Sequence, residues 1–131
     1  MPEHPNLSLI KKVYESFATG DYPSKLKELF REDVVWHLPG NGPLSAEHRG
    51  REAVFAAMRQ FEQLSRGSIR IEVHDILANE EHAVALLRAT ATRQGKQYDS
   101  REVDIYHIRD GKVTEMWSLS EDPRVTDEFW S

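Results

Sequence analysis

Between residues 68 and 120 the chain reads as β-like runs parted only by short turns, and this stretch constrains the fold more than any other. The runs cover residues 68–78, 82–93, 97–108 and 112–120, with turns at Asn79-Glu80-Glu81, Gln94-Gly95-Lys96 and Arg109-Asp110-Gly111. Connections this short pair neighbours as antiparallel hairpins, so four strands in a meander are predicted. Both alternating sets are apolar: Val84 and Leu86 on one face, Ala85 and Leu87 on the other. Each face of the sheet therefore needs a cover.

The residues before Gly67 supply one cover. Leu9, Ile10, Val13, Tyr14 and Phe17 recur at helical spacing after Asn6 or Ser8 as cap, and Gly20-Asp21 stops that helix. Pro23 suits the first turn of a shorter helix carrying Leu26, Leu29 and Phe30. The β-branched and aromatic segment Val34-Val35-Trp36-His37-Leu38 predicts a strand, which Pro39-Gly40-Asn41-Gly42-Pro43 ends. A third helix is predicted over 51–64, where Ala53, Val54, Ala57, Met58, Phe61 and Leu64 form one stripe. The expected class is α+β, with three N-terminal helices packed on a curved, mostly antiparallel sheet. For the outer face a second copy of the chain is the expected cover, meeting it through Val103, Ile105, His107 and Trp117 in a homodimer.

Length and charge narrow the rest. With 131 residues, no internal repeat and no linker, a single domain over 1–131 is expected. Hydrophobic residues at 39% are too many for a disordered chain. No cysteine is present, so no thiolate site or disulfide is possible. The six histidines show no metal-ligand spacing, and no metal is expected. A net charge of −5 with scattered basic residues argues against a nucleic-acid partner. Residues 1–9 lack the pattern of a signal peptide and no apolar run approaches the length of a membrane span, so a cytoplasmic protein without a membrane partner is expected.

Four stretches together resemble the SnoaL-like and ketosteroid isomerase-like branch of the nuclear transport factor 2-like superfamily. They are Thr19-Gly20-Asp21, the segment 32–40 around Val34-Val35-Trp36-His37-Leu38, Gly50-Arg51-Glu52-Ala53-Val54, and the segment 103–117. The resemblance implies a cone-like fold enclosing an apolar pocket for a small hydrophobic ligand or substrate. That fold hosts isomerases, cyclases, hydrolases and noncatalytic binders, so it leaves the function open.

Asp104 interrupts the apolar strand 103–108, where a carboxylate is expensive. Strand alternation puts Glu102, Asp104, Tyr106 and Ile108 on one face and Val103, Ile105 and His107 on the other. In an apolar pocket beside a phenol, burial would raise the Asp104 pKa and make it a useful acid or base. The resemblance points the same way: in ketosteroid isomerases this strand position holds a protonated Asp that donates to an oxyanion, and in SnoaL-like cyclases the strand's carboxylate is the acid/base. The alternative is a structural carboxylate paired with an arginine.

His37 is a second catalytic candidate, a proton shuttle at a strand end, although the resemblance turns Val34, Trp36 and Leu38 inward and so turns His37 out. The pocket lining is expected from Tyr14, Phe17, Trp36, Leu38, Phe55, Met58, Phe61, Tyr106 and Met116. Trp117 alternates with Met116 and is assigned to the outer face. Two departures narrow the chemistry. Counting back from Gly20, the isomerase oxyanion tyrosine falls at Val13, with Tyr14 one residue off, and its aspartate base falls at Leu38. The arginine of limonene epoxide hydrolase-like enzymes falls at Glu102, with Arg101 on the opposite face, so Arg88 would have to take its part. Steroid isomerisation and epoxide hydrolysis are thus disfavoured. The expected function is cofactor-free acid/base chemistry on a small hydrophobic carbonyl compound, with a noncatalytic small-molecule-binding or dimeric scaffold domain as the alternative.

Overall fold

A computed structural model describes residues 3–131. Helix α1 (Pro5–Thr19) and helix α2 (Tyr22–Leu29) lead into strand β1 (Phe30–Leu38) and a short strand β2 (Ala46–Arg49). Helix α3 (Arg51–Leu64) follows, then β3 (Arg70–Ala78), β4 (His82–Arg93), β5 (Lys96–Arg109), β6 (Lys112–Ser120) and a last helix α4 (Pro123–Trp130). The strands form one sheet in the order β2-β1-β6-β5-β4-β3.

The meander is as expected: β3 to β6 pair antiparallel in sequence order. Two of its turns are two-residue loops, Gln94-Gly95 and Asp110-Gly111, with φ of 52° and 77°, and 52° and 74°. Positive φ at both positions matches the right-handed twist of the strands they join. Register shifts in β1, β3 and near the β5–β6 turn bend the sheet.

The architecture is α+β, but three features correct the expected arrangement. Only two helices precede the sheet, because α3 comes after β2. The sheet has six strands and is mixed, since β1 joins β6 in parallel, with Trp36 opposite Met116. A fourth helix closes the described chain, capped by Asp122, whose side chain accepts from the amides of Arg124 and Val125 at 3.2 and 3.4 Å. The caps and ends of the first helices also differ in detail. His4 caps α1, accepting from the Asn6 amide at 3.1 Å, while the buried Asn6 side chain donates to the carbonyls of Asn79 and Glu80 at 2.9 and 3.0 Å. Phe30 belongs to β1 and not to α2.

All four helices lie on one face of the sheet's core. Ile10 and Val13 of α1, Leu26 of α2 and Val54 of α3 are fully buried against Phe30, Val34, Ala85 and Tyr106. Each such aliphatic side chain contributes about 1.5–3 kcal/mol on leaving water. The opposite face, with Val84, Val103, Ile105 and Trp117, is half-buried.

Candidate functional site

Between the sheet and the helices lies a cavity of about 630 Å³. Tyr14 and Phe17 of α1, Trp36 and Leu38 of β1, and Met58 and Phe61 of α3 form much of its wall. Ile69, Ile71 and, from α4, Trp130 line it as well, the Trp130 ring meeting Phe61 edge-on at 4.9 Å. Two carboxylates of β5, Glu102 and Asp104, also reach this wall. They share a face because they are two residues apart on one strand.

Asp104 is only 6% exposed, and its carboxylate is held by hydroxyls. Tyr14 donates to Oδ2 at 2.6 Å and Ser118 donates to Oδ1 at 2.7 Å. Behind them stand two further groups: Tyr106 Oη lies 2.7 Å from Tyr14 Oη, and Trp36 Nε1 donates to Ser118 Oγ at 2.9 Å. With Asp104 ionised, the four protons of Trp36, Ser118, Tyr106 and Tyr14 fill these four hydrogen bonds. Among the described residues no Lys, Arg or His pairs with Asp104. Burial pushes its pKa up to about 6, against the lowering effect of the Tyr14 and Ser118 hydrogen bonds. Burial, then the charge of Asp104, drives the Tyr14 hydroxyl well above the ordinary tyrosine range, and Tyr106 likewise. Both phenols stay protonated as donors.

Glu102 sits in a second network. Its Oε2 is 2.7 Å from Tyr98 Oη, which is 2.8 Å from Thr126 Oγ1 of α4. Burial raises its pKa to about 7, with the charge of Asp104 adding to the rise and the Tyr98 hydrogen bond opposing it. One cavity thus presents two carboxyl groups whose pKa values lie around neutrality, which is the property acid/base catalysis at neutral pH needs.

The SnoaL-like domain family model matches residues 10–116. This chain belongs to the SnoaL-like domain family. An NTF2-like protein of Burkholderia pseudomallei has the same fold, superposing with a TM-score of 0.86 at 17% identity and covering 98% of this chain and 99% of that one. The chain is 29% identical to the uncharacterised protein Rv0034 of Mycobacterium tuberculosis over the whole of both chains. The solved structure of Bal32a, from a soil-derived mobile gene cassette, superposes with a TM-score of 0.93 at 29% identity, covering 97% of each chain. IdmH of Streptomyces antibioticus, a candidate polyketide cyclase, has the same fold, with a TM-score of 0.76 at 24% identity and 96% of each chain covered.

In this SnoaL-like domain, seven of the nine residues expected to line the pocket do so: Tyr14, Phe17, Trp36, Leu38, Met58, Phe61 and Met116. Phe55 and Tyr106 do not. Phe55 is 2% exposed and packs in the core, and Tyr106 is fully buried there with its hydroxyl 2.7 Å from that of Tyr14.

His37 is not in the cavity. Its ring stacks on Trp117 at 4.8 Å on the other face of the sheet, with Nε2 2.5 Å from Glu115 Oε2 and Nδ1 3.3 Å from Glu47 Oε1. Strand alternation is the reason: with Trp36 inward, its neighbour must point out. Arg101 stays on the outer face as assigned, and Arg88, the arginine left to take the hydrolase part, does not line the cavity. Arg88 pairs with Asp99 at 2.6 Å, and Arg101 is exposed.

Counting along the helix had placed the position of the isomerase tyrosine at Val13, with Tyr14 one residue off. Val13 is fully buried in the core, and the Tyr14 hydroxyl is the one that reaches Asp104. Ser118, Tyr98 and Thr126 were not singled out. For Ser118 the signal was its place two residues after Met116 on the same strand face, whereas Thr126 lies on the helix that was missed.

Proposed function

We propose that this SnoaL-like domain is an enzyme that moves a proton on a small hydrophobic carbonyl compound, in an isomerase, cyclase or related lyase reaction, with Asp104 as the base. The observation that carries the reading is the Asp104 carboxylate, held by two hydroxyls and, among the described residues, no cation, on the wall of a cavity lined by aromatic and aliphatic side chains. A carboxylate paired with arginine is a weak base. One with only neutral donors, raised to about 6 by burial, is matched to a carbon acid at neutral pH.

In the reaction Asp104 takes a proton from the carbon next to the carbonyl group, and the C–H electron pair becomes the carbon–carbon double bond of an enol or enolate. Tyr14 and Ser118 fix the carboxylate's orientation, and aromatic walls such as Trp36 and Phe61 hold a planar substrate against it. Asp104→Asn removes the base with little change of shape. It should fold as the parent does and lose exchange of the α-protons of 2-tetralone, an apolar bicyclic ketone, in deuterated water. Unchanged exchange in that variant would sink the mechanism and leave a noncatalytic binding domain as the better reading.

The assembly belongs to the same proposal. Val84, Val103, Ile105 and Trp117 form a half-buried apolar stripe on the outer face, with Leu119 42% exposed beside it. A second copy meeting this stripe would remove it from water, at about 25 cal/mol per Å² before association costs. Sedimentation at micromolar concentration should show a dimer, and a stable 15.1 kDa monomer would refute it.

A further inference from the structure

Three adjacent strands bring Trp36, Ser118 and Asp104 side by side on the cavity face. Asp104 of β5 and Ser118 of β6 are register partners, so their side chains stand directly opposite each other on one face of the sheet. Trp36 of β1 is in register with Met116, and two residues further along β6 the same face is reached again at Ser118. A chain of hydrogen bonds results: Trp36 Nε1 donates to Ser118 Oγ at 2.9 Å, and Ser118 Oγ donates to Asp104 Oδ1 at 2.7 Å. Its direction follows from what each group can do. An indole N–H only donates, so Ser118 must accept from Trp36, and its single proton has Asp104 as its one acceptor among the described residues. The arm on the other carboxylate oxygen lacks such a lock, because either hydroxyl of the Tyr14 and Tyr106 pair can be the donor.

We propose that Trp36 is a positioning residue for the Asp104 base and acts through Ser118, its N–H turning the serine proton toward Oδ1 and holding it there. The inference rests on the proton-transfer reading above and gives one aromatic wall of the cavity a second duty. Without the indole donor, the Ser118 hydroxyl turns freely about its Cβ–Oγ bond and meets Oδ1 with a lone pair for part of the time. With the donor in place, a reversal that let Ser118 accept from Asp104 would leave the serine proton without an acceptor among the described residues. The contact therefore stays a donation to the carboxylate, which favours the ionised base.

The same indole lines the cavity, with Phe61 6.1 Å away between ring centres. A flat substrate packed on Trp36 thus touches the group that sets one of the base's two donors. Phenylalanine at this position separates the duties, since the wall remains and the N–H goes. The other titratable groups around Asp104 are Tyr14 from α1 and Tyr106 and Glu102 from β5. None of them bonds to Trp36 or Ser118, so each keeps its partners when the chain is cut.

The test is a double-mutant cycle read on the Asp104 carboxyl by ¹³C NMR, with the resonance assigned through Asp104→Asn. At a given pH, Ser118→Ala should lower the ratio of ionised to neutral Asp104 about tenfold, and Trp36→Phe about threefold. In the Ser118→Ala background Trp36→Phe should change the ratio by less than about 1.5-fold, because the hydroxyl it acts through is gone. A Trp36→Phe effect as large in that background as alone would show that the indole acts by packing, and no effect in the parent would show that it does not act; either overturns the inference. Should Trp36→Phe fail to fold, benzothienylalanine at position 36 keeps the shape of the indole with sulfur in place of the N–H, and the same threefold change is expected of it. In 2-tetralone exchange, the low-pH limb of the rate profile should move upward in Trp36→Phe together with the carboxyl titration. If the unaltered protein exchanges nothing, the proposed function is the part that fails, and the cycle on the carboxyl still decides the role of Trp36.

Discussion

Tyr14 Oη lies 2.6 Å from Asp104 Oδ2, joining the first helix to the fifth strand across 90 residues of chain. The bond does structural and electrostatic work at once. It closes the helix onto the sheet, and it supplies one of the two donors that keep the buried carboxylate ionisable. Tyr14→Phe removes the donor and leaves the fully buried Tyr106 hydroxyl without its partner. The variant should lose about 1–3 kcal/mol in denaturant unfolding, and the Asp104 pKa should rise further above about 6.

The two carboxyl groups set a pH dependence of stability whose sign is opposite to that of a salt-bridged acid. Both pKa values are raised in the folded state, from 3.8 to about 6 for Asp104 and from 4.5 to about 7 for Glu102. The folded protein therefore binds more protons than the unfolded chain between about pH 4 and 7. The stability this confers is full below the ordinary values and is lost as pH rises through about 6 and then about 7. Glu102→Gln should flatten the decline by an amount on the order of 1–3 kcal/mol between pH 4 and 8, read from unfolding midpoints. A wild-type stability that rises across this window would contradict the burial of both groups.

Gly40 lies in the loop after β1, between Pro39 and Gly42, which line the cavity. Its φ of +117° is a conformation side chains avoid, and a Cβ there would stand 2.6 Å from Asp127 Oδ1. That carboxylate accepts from the Asn41 amide at 2.8 Å and so ties the loop after β1 to α4. Gly40→Ala should cost about 1–3 kcal/mol and loosen α4, seen as faster amide exchange over Pro123–Trp130. Unchanged exchange there would show that this tie does not hold the helix.

The outer face should be separable from the cavity. Ile105→Glu places a charge among Val84, Val103 and Trp117, and it should yield a monomer by light scattering while leaving 2-tetralone exchange within a fewfold of the parent. His37→Ala should likewise leave exchange in place, because His37 binds Glu115 and stacks on Trp117 across the sheet from Asp104.

What could be read from the sequence depended on whether the signal was local. Asp104 and Trp36 were legible because strand periodicity fixes a residue's face from its neighbours, and α3 because its apolar stripe runs the length of the helix. Strand β2 was not legible: Ala46–Arg49 is short and polar, and only its pairing with β1 makes it a strand. The parallel pairing of β1 with β6 joins residues some 80 apart, Trp36 with Met116, and no local pattern encodes it. Helix α4 did carry a signal in Asp122-Pro123, a capping residue followed by proline at the first helical position. With it missed, Thr126 was out of reach, and so was its contact with Tyr98 beside Glu102. The Tyr14–Asp104 bond shows another limit, because counting residues along a helix does not fix how the helix is rotated against the sheet.

The titration of the Asp104 carboxyl by ¹³C NMR bears most directly on the central claim, that this buried group is a base matched to neutral pH and not a structural ion pair. The account predicts a midpoint near 6, moving upward in Tyr14→Phe. A midpoint below the ordinary value of 3.8 would contradict it.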